Sequence, residues 1–564
     1  MDEAYIGDVK FTKLLGYGVD GVVWLVEIGE VNPSQGPTAE PRANSVPRGP
    51  ISVMEWRHRF HLVSIFRQQD IRVVRRPLNS SSLRLGSNDG VVSKVAEALT
   101  FQYSTKSPDA NNWIGIWDPL SGPNDGAPTA SAAWAYAADA QGTTQLRVSD
   151  VKAGMYKAYF LSKNDNRLLA PPIDVFVPGP GPMAFAVDGI TTHNARQGDA
   201  FVARIDGLLL SRNDSDVIFS KAYGHDWVHV SSDGVISGNP SHAGDTHVTI
   251  VASTPDHRFP ASLSVTIPVR QAGARLVEKL CVMSFNLWVG GTFINDYARK
   301  QARFLAESNC DVIGLQETRG FHAKRIAHMM GYHVLQGRDA GILSRYPIVE
   351  AMPAAEAGVG ARIQLDGADS QVIAWSAHLA YQVYGPYSLC YQGKSARSVV
   401  DDENKAEVGR GRQIRQMLDL MAPQMVNASK VPVLLTGDFN APSHLDYTPA
   451  TSGMNCGAGP VEWPTSVEPV KAGLVDSFRA VHPDAAAEPG ITWSPINRFN
   501  NEYGKPEPQD RIDFIYHKGL EVLHSTTAMV GNPQRNPGSA DNEWTTDHKA
   551  VVSFFRVPFH QQAA

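Results

Sequence analysis

The apolar pattern of this chain changes at about Gln271, and the change separates two structural classes. Before it, from about Val95, short alternating apolar runs are separated by Gly, Pro, Asn and Asp, a texture typical of all-β sandwiches. Beyond it, runs of strand length alternate with segments of helical period, which predicts sheets covered by helices. A chain of 564 residues exceeds what one hydrophobic core organises, so we expect a multidomain protein containing both classes.

The all-β part is predicted to hold two modules, at 93–178 and 183–271, joined by a Pro-Gly hinge at 178–182. In the second module, residues 233–240 spell a D-G-x-I-S-G-x-P turn between two β-rich runs. This turn resembles that of the immunoglobulin-like modules of exported and cell-surface proteins, which implies an immunoglobulin-like sandwich for the second module. The strand spacing of the first module predicts another all-β sandwich, which we also expect to be immunoglobulin-like. We interpret the tryptophans of both modules as core residues rather than a carbohydrate platform: Trp113, Trp117, Trp134 and Trp227.

Residues 1–92 are predicted to be a poorly structured N-terminal segment. Residues 32–50 are rich in Pro, Ser and Gly, as linkers are, and residues 57–76 hold six arginines without a helical or strand period. Residues 16–23 match the G-x-G-x-x-G-x-V pattern of a kinase glycine-rich loop. No other kinase motif follows, so the pattern does not indicate a kinase.

The α/β part is predicted to form one domain at 277–558. Its expected strands lie at 280–285, 312–315, 372–375, 431–435, 512–516 and 550–555, and its expected helices at 296–308 and 408–421. Asn295 and Asp296 are predicted to cap the first helix, because their side chains accept hydrogen bonds from free amide groups of a first turn.

Polar residues follow or adjoin these strands in a distinctive order. They are Asn286, Glu317, His378, Asp438, Asn440, Asp510, Asp513, Asp547 and His548. A packed strand can hold each of them rigidly at one edge of a sheet. Carboxylate and amide oxygens suit Mg²⁺, and two histidines near carboxylates suit proton transfer and the stabilisation of a charged transition state.

The ordered set resembles the endonuclease/exonuclease/phosphatase superfamily over about residues 279–557. Residues 341–348, Gly-Ile-Leu-Ser-Arg-Tyr-Pro-Ile, are similar to an internal strand-turn motif of that family. The resemblance implies a four-layer α/β sandwich, two central sheets flanked by helices. It also implies a metal-dependent phosphoesterase.

The resemblance further implies which residues bind the metal and the phosphate. Glu317 would bind the divalent metal, helped by Asn286 and Asp547. Mg²⁺ is the expected ion, with Mn²⁺ or Ca²⁺ as alternatives. Asn440 and His378 would contact the phosphoryl oxygens.

The remaining residues are implied to act on the attacking water and the transition state. Asp438 would align or activate the water. His548 would stabilise the pentacovalent transition state or act as general base, oriented by a carboxylate. The D-R-I-D spelling leaves two candidates for that carboxylate, Asp513 and, less favoured, Asp510.

The substrate class stays open at this stage. A phosphodiester is favoured, in a nucleic acid, a phospholipid head group or an inositol phosphate. A net charge of −6 gives no global basic field that would draw the protein to nucleic acid. The alternative function is an extracellular binding or adhesion protein with a vestigial phosphoesterase domain, which the complete set of site residues argues against.

The expected location is extracellular, because immunoglobulin-like modules accompany the enzyme, although no signal peptide is recognisable. No membrane span is predicted, and the β modules could attach the enzyme to a surface or polymer. Cys390 and Cys456 lie in Gly-rich, loop-like segments, whereas Cys281 and Cys310 adjoin buried strands. We therefore predict a Cys390–Cys456 disulfide in an oxidising compartment, with Cα atoms within about 7 Å.

Overall fold

The computed structural model describes residues 98–558, apart from gaps at 118–121, 124–129, 149–150, 152–153, 164–165, 178–182, 212–216, 255–259, 406–407, 535 and 540, together with four strands nearer the N-terminus. Those strands are β1 (Ala4–Ile6), β2 (Val9–Gly18), β3 (Gly21–Val26) and β4 (Ser82–Leu85). The glycine-rich pattern at 16–23 falls on the paired strands β2 and β3. The predicted linker, the arginine-rich stretch and the hinge at 178–182 lie outside the described residues.

Residues 98–177 are all-β, as predicted. Their strands are β5 (Ala98–Ser104), β6 (Trp113–Trp117), β7 (Ala133–Tyr136), β8 (Gln141–Arg147), β9 (Gly154–Leu161) and β10 (Ile173–Val177). Together with β4, they form two sheets, in the orders β4-β5-β8 and β10-β9-β6-β7. Phe101 of the first sheet and Ile114 and Phe160 of the second belong to one buried core. Trp117 is buried but Trp134 is 53% exposed, so the core interpretation was wrong for Trp134.

Residues 183–271 are also mainly β. The strands are β11 (Ala184–Phe185), β12 (Gly189–Thr191), β13 (Ala195–Arg196), β14 (Phe201–Arg204), β15 (Leu209–Ser211), β16 (Ile218–Gly224), β17 (His229–Val230), β18 (Val235–Gly238), β19 (Gly244–Ser253) and β20 (Ala261–Arg270). The D-G turn joins the paired strands β17 and β18, and Gly234 takes a φ of +84° there, which suits glycine. A 3₁₀ turn, Asp206–Leu208, precedes β15. That both modules are immunoglobulin-like stays a prediction.

The C-terminal part alternates strands and helices. Its strands are β21 (Lys279–Asn286), β22 (Val312–Gln316), β23 (His333–Gln336), β24 (Ala340–Ser344), β25 (Ile348–Ala351), β26 (Gly358–Gln364), β27 (Gln371–His378), β28 (Val433–Asp438), β29 (Val475–Asp476), β30 (Phe499–Asn500), β31 (Lys505–Pro506), β32 (Asp513–Lys518), β33 (Glu521–Ala528) and β34 (Ala550–Arg556). Its helices are α1 (Tyr297–Ser308), α2 (His322–Met330), α3 (Gly385–Cys390), α4 (Ala396–Glu403), α5 (Arg410–Met425), α6 (Pro464–Lys471) and α7 (Ser477–Val481).

Every strand and helix predicted in this part is present, with ends that differ by a few residues. The cap of α1 differs from the prediction. Asp296 is its N-cap residue, but it has a φ of 49° and its side chain makes no capping hydrogen bond. The start of α1 therefore lacks the side-chain cap that the sequence suggested.

The strands form two six-stranded sheets. The first has the order β23-β24-β22-β21-β34-β33 and the second the order β25-β26-β27-β28-β32-β29. Successive side chains of a strand point to opposite faces, and β27 shows the consequence. Ala374 lies in a core that both sheets share, whereas Trp375 lies in a second core with Met417 of α5.

The two sheets approach closely near the ends of their central strands. A Cβ atom on Gly314 of β22 would lie 1.8 Å from Oγ1 of Thr436 in β28, so only glycine fits there. Beside it, Gln316 Nε2 donates to Ser376 Oγ at 3.1 Å, and that hydroxyl donates to the Leu315 carbonyl at 3.1 Å. This polar layer fixes the strand ends of one sheet against those of the other.

The second β module packs directly on the α/β domain. Arg196 forms an ion pair with Asp366, and Asp366 Oδ2 also accepts a hydrogen bond from the Leu276 amide at 2.9 Å. A Cβ atom on Gly207 would lie 2.0 Å from the carbonyl oxygen of His328 in α2. The module and the enzyme domain therefore share a close-packed contact.

All four cysteines are paired. Cys390 and Cys456 form a disulfide with a Cα–Cα distance of 5.2 Å, which confirms the predicted pair. Cys281 and Cys310 form a second one, with a Cα–Cα distance of 4.6 Å, which the sequence reasoning did not anticipate. Among the described residues, no helix combines the length and apolarity needed to cross a membrane.

Candidate active site

Strand register places three site residues side by side. His378 in β27 pairs with Asp438 in the parallel strand β28, and Asp438 pairs with Asp513 in the antiparallel strand β32. Paired residues on neighbouring strands point to the same face of a sheet. Ala374 of β27 shows that this is the face directed at the first sheet. The three side chains therefore gather at one end of the gap between the sheets.

Asp438 is the centre of the site. Its Oδ2 accepts a hydrogen bond at 2.8 Å from Asn286, the last residue of β21 in the facing sheet. Its Oδ1 accepts one at 2.8 Å from the backbone amide of Asn440. The Nε2 atoms of His378 and His548 each lie 3.7 Å from Oδ2. Burial and the nearby Asp513 raise the pKa of Asp438 above its usual range, against the effect of the two histidines.

His548 is oriented by Asp513. The Nδ1 atom of the imidazole lies 2.9 Å from Asp513 Oδ2, and the ring of Trp493 packs 5.0 Å from the imidazole. A carboxylate at Nδ1 makes that nitrogen a donor and directs Nε2 towards Asp438. Burial disfavours the charged imidazole, but Asp513 and Asp438 outweigh it and raise the pKa of His548 well above its ordinary value.

His378 has a matching partner that the sequence did not reveal. Its Nδ1 atom lies 2.8 Å from Oδ2 of Asp339, the residue that directly precedes β24. Burial lowers the pKa of His378, yet the hydrogen bond to Asp339 and the charge of Asp438 leave it above its ordinary value. In the sequence, Asp339 lies between glycines and has no distinctive motif. Only its position before a strand indicates that it could belong to the site.

Asp510, the other candidate to orient His548, is bonded to two tyrosines. Its two carboxylate oxygens accept hydrogen bonds from Tyr384 and Tyr447, each at 2.8 Å. Burial raises the pKa of Asp510 to about 6, against the two tyrosine hydroxyls that lower it. The structure therefore pairs His548 with Asp513 and not with Asp510.

Glu317 and Asp547, predicted to hold the metal, both contact neighbours of Asp438. Glu317 follows β22 with a φ of 56°, and its Oε1 lies 3.4 Å from the Asn286 amide nitrogen that also serves Asp438. Asp547 Oδ1 lies 3.9 Å from His548 Nε2. Burial raises the pKa of Asp547 to about 7. The charges of Glu317 and Asp438 add to this rise, and that of His548 opposes it.

The donor set suits a divalent cation. Five carboxylates, those of Glu317, Asp339, Asp438, Asp513 and Asp547, lie around the two imidazoles, and Asp513 Oδ1 is buried without a hydrogen-bond partner. Such an excess of negative charge is what a bound metal neutralises. Among the described residues, Asp438, Asp513 and His548 form a group of possible metal ligands whose atoms lie within 4.8 Å of one another. His548 Nδ1 is already bonded to Asp513, so we keep the prediction that the metal binds to Glu317, Asn286 and Asp547.

Comparisons with known proteins identify the family of the α/β part. The sequence model of the Endonuclease/Exonuclease/phosphatase family matches residues 283–548. An uncharacterized protein of Caenorhabditis elegans is 35% identical over 285 residues, which cover 48% of this chain and 90% of that protein.

Solved structures of low sequence identity also align with about half of the chain. The human Nocturnin catalytic domain with bound sulfate is 14% identical, with a TM-score of 0.34 and coverage of 50% of this chain and 97% of that one. Truncated Caenorhabditis elegans TDP2 is 16% identical, with a TM-score of 0.33 and coverage of 49% and 98%. On the family match, with the relative covered over 90% of its length, the chain belongs to the Endonuclease/Exonuclease/phosphatase family.

Proposed function

We propose that residues 277–558 form a divalent-metal-dependent hydrolase whose preferred substrates are phosphodiesters. The observation that carries this proposal is the arrangement around Asp438. Two imidazoles face one of its oxygens, each at 3.7 Å, and each imidazole is bonded at Nδ1 to its own carboxylate. A carboxylate between two oriented imidazoles can position a water and stabilise charge on a phosphoryl group.

In this proposal Asp438 orients the attacking water and accepts its proton. Hydrogen bonds from Asn286 and the Asn440 amide hold the carboxylate in place. His548, protonated and fixed by Asp513, presents its Nε2–H to a phosphoryl oxygen where negative charge builds up. His378 presents its own Nε2–H to a second phosphoryl oxygen.

Glu317, Asn286 and Asp547 would hold the metal ion. When bound, Mg²⁺ supplies Lewis-acid stabilisation of phosphoryl charge, and Mn²⁺ or Ca²⁺ are alternatives. Oxygen ligands of this kind match the preference of Mg²⁺ for carboxylates and amides. Burial, with the nearby charges of Glu317 and Asp438, raises the pKa of Asp547 to about 7, and this supports a cation at this position.

The test is hydrolysis of bis(p-nitrophenyl) phosphate by the full chain, followed by DNA, RNA, phospholipids and inositol phosphates. Each substrate is assayed with Mg²⁺, Mn²⁺ and Ca²⁺ and after chelation with EDTA. We expect metal-dependent turnover that a Glu317→Ala variant loses. A His242→Ala variant, changed at an exposed residue of the second β module, is the matched control and should keep it. No turnover with any metal would overturn the proposal.

An adhesion protein with a vestigial enzyme domain is the less favoured function. Loss of selection would be expected to damage at least one site position, yet the imidazoles of His378 and His548 both face Asp438. Surface or polymer attachment through the β modules is compatible with an active enzyme, so we propose it as a placement function only.

We also propose that the α/β domain is a four-layer sandwich, that the β modules are immunoglobulin-like and that the protein is extracellular. The core that both six-stranded sheets share, with α5 on the other face of the second sheet, supports a four-layer α/β sandwich. Two sheets around one core in residues 98–177 support an immunoglobulin-like module. The two disulfides support an extracellular location, because oxidising compartments preserve such bonds.

A further inference from the structure

Three tyrosines from two separate segments form a cluster that we call the tyrosine wall: Tyr387, Tyr391 and Tyr503. The ring of Tyr391 stacks on that of Tyr503, with centroids 4.4 Å apart and planes at 24°. It also stacks on Tyr387, at 5.3 Å and 29°. All three residues are half-buried, so part of each remains in contact with solvent.

Hydrogen bonds to the buried Glu507 and to the exposed Pro506 fix the hydroxyl groups of two wall residues. Tyr387 donates its hydroxyl to Glu507 Oε1 at 2.6 Å, and Tyr391 donates its hydroxyl to the Pro506 carbonyl at 2.7 Å. Since those hydroxyls are already bonded, the surface that Tyr387 and Tyr391 offer to a ligand is mainly aromatic carbon. The disulfide of Cys390, the residue before Tyr391, ties this segment to Cys456.

A chain of side-chain contacts connects the wall to His548. The carboxylate oxygen of Glu507 that binds Tyr387 also accepts a hydrogen bond from Trp493 Nε1 at 3.1 Å. The ring of Trp493 packs 5.0 Å from His548, whose Nε2 faces Asp438. One buried carboxylate therefore links the aromatic wall to the side chain that contacts the catalytic imidazole.

We propose that the tyrosine wall binds a planar, uncharged aromatic ring carried by the phosphodiester, as a nucleobase or an aryl ester group provides. This inference rests on the proposed function, because it assigns a substrate feature to the same site. Aromatic side chains bind such rings by stacking, with little regard to ring identity.

Charge near the wall favours an aromatic ring over a cationic head group such as choline. Lys505 Nζ lies 5.7 Å from the centroid of the Tyr391 ring, so it would repel a cation. The carboxylate of Glu507 is occupied by Tyr387, Trp493 and Asn500 and is not free to pair with one. Lys505 would instead attract a neighbouring phosphate of the same substrate.

The experiment compares two pairs of substrates with the full-length, metal-loaded protein. The first pair is thymidylyl-thymidine and the same phosphodiester with abasic tetrahydrofuran residues. The second pair is bis(p-nitrophenyl) phosphate and dimethyl phosphate. We expect kcat/KM to favour the aromatic member of the first pair by about tenfold or more, a typical effect of stacking one base. A preference within the first pair indicates a nucleobase. The leaving groups of the second pair differ in intrinsic reactivity, so only a change of its ratio between the wild type and the wall variants is informative. Such a change without a preference in the first pair indicates an aryl group.

Matched variants assign any preference to the wall. Tyr391→Leu and Tyr503→Leu remove a stacking ring but keep an apolar side chain. The ratio within the first pair should therefore fall towards one, and the ratio within the second pair should fall below its wild-type value. Tyr391→Phe keeps the ring and should retain the ratio. Tyr223→Ala, at a residue 77% exposed in the second β module, is the control and should leave the ratio unchanged.

The outcomes separate this inference from the proposed function. If the wild type cleaves no phosphodiester with any metal, the proposed function fails and this inference fails with it. If both leucine variants retain the wild-type ratio of each substrate pair, the inference alone is overturned. Should the leucine variants fold poorly, a Cys390→Ser/Cys456→Ser variant loosens the same segment, and an unchanged ratio there also overturns it.

Discussion

The two imidazole–carboxylate pairs of the site have the same geometry and different surroundings. Each pair joins the two sheets. His378 ends β27 of the second sheet and bonds Asp339, beside β24 of the first, whereas His548, close to β34 of the first sheet, bonds Asp513 in β32 of the second. The side chain of Asp513 is fully buried, but that of Asp339 is 40% exposed.

This difference indicates how much each pair contributes. An ion pair in a dry, fixed setting acts more strongly than one reached by water, because solvent screens charge. The His548 pair is therefore expected to carry the larger part of transition-state stabilisation. The His378 pair should adjust more readily to the substrate.

Among changes to the two imidazole–carboxylate pairs, the largest effect is expected from removing the buried imidazole. His548→Ala should lower kcat by about a thousandfold with little change in KM, as loss of a preorganised charged donor does. Steady-state hydrolysis of bis(p-nitrophenyl) phosphate at saturating metal measures this. Near-normal kcat in a folded variant would mean that His548 lies outside the reaction centre.

A smaller loss is expected when the partner changes and the imidazole remains. Asp513→Asn keeps the size of the side chain but removes the charge that holds His548 protonated, so kcat should fall by about a hundredfold. As pH rises, the variant should also lose activity at a lower pH than the wild type does, because the pKa of His548 would drop. A variant whose profile matches that of the wild type would show that Asp513 has only a structural role.

The exposed pair should respond least among the catalytic changes. Asp339→Asn is expected to lower kcat/KM by about tenfold, since solvent partly replaces the lost charge. Measuring Asp339→Asn and Asp513→Asn under identical conditions tests the comparison itself. An equal or larger loss for Asp339→Asn would reverse our ranking of the two pairs.

The smallest effect concerns Asp510, which bonds two tyrosines instead of a histidine. Its folded-state pKa of about 6 exceeds the ordinary value of 3.8, so the folded protein binds more protons than the unfolded chain between those values. Stability should therefore fall as pH rises from about 4 to 6, by at most about 1.4 kcal/mol per pH unit. Asp510→Asn should flatten this slope in urea titrations, and an unchanged slope would show that other groups cause it.

Much of the site could be predicted from sequence because its residues close apolar strands. Asn286, His378 and Asp438 each end a run whose alternation fixes the face on which they lie. Asp339 could not be predicted, because its meeting with His378 depends on how closely the two sheets pack. Asp510 and Asp513 occur in one short motif, and only the register of β28 with β32 separates their roles.

The fold shows the same division between local and tertiary information. Strands and helices of the α/β part follow from period and length. The Cys281–Cys310 disulfide was missed because burial beside strands suggested inert thiols. The contact of Gly207 with His328 depends on the docking of two domains, which no local pattern encodes.

The central claim, a metal-dependent phosphoesterase site built around Asp438, is tested most directly by Asp438→Asn. This change keeps the shape of the side chain and removes the proposed acceptor of the water proton. Hydrolysis of bis(p-nitrophenyl) phosphate should be followed with Mg²⁺, after EDTA and after Mg²⁺ is restored. We predict wild-type turnover that EDTA abolishes and Mg²⁺ restores, and a loss of about a thousandfold or more in a folded Asp438→Asn variant. Turnover that survives EDTA, or an Asp438→Asn variant as active as the wild type, would contradict the claim.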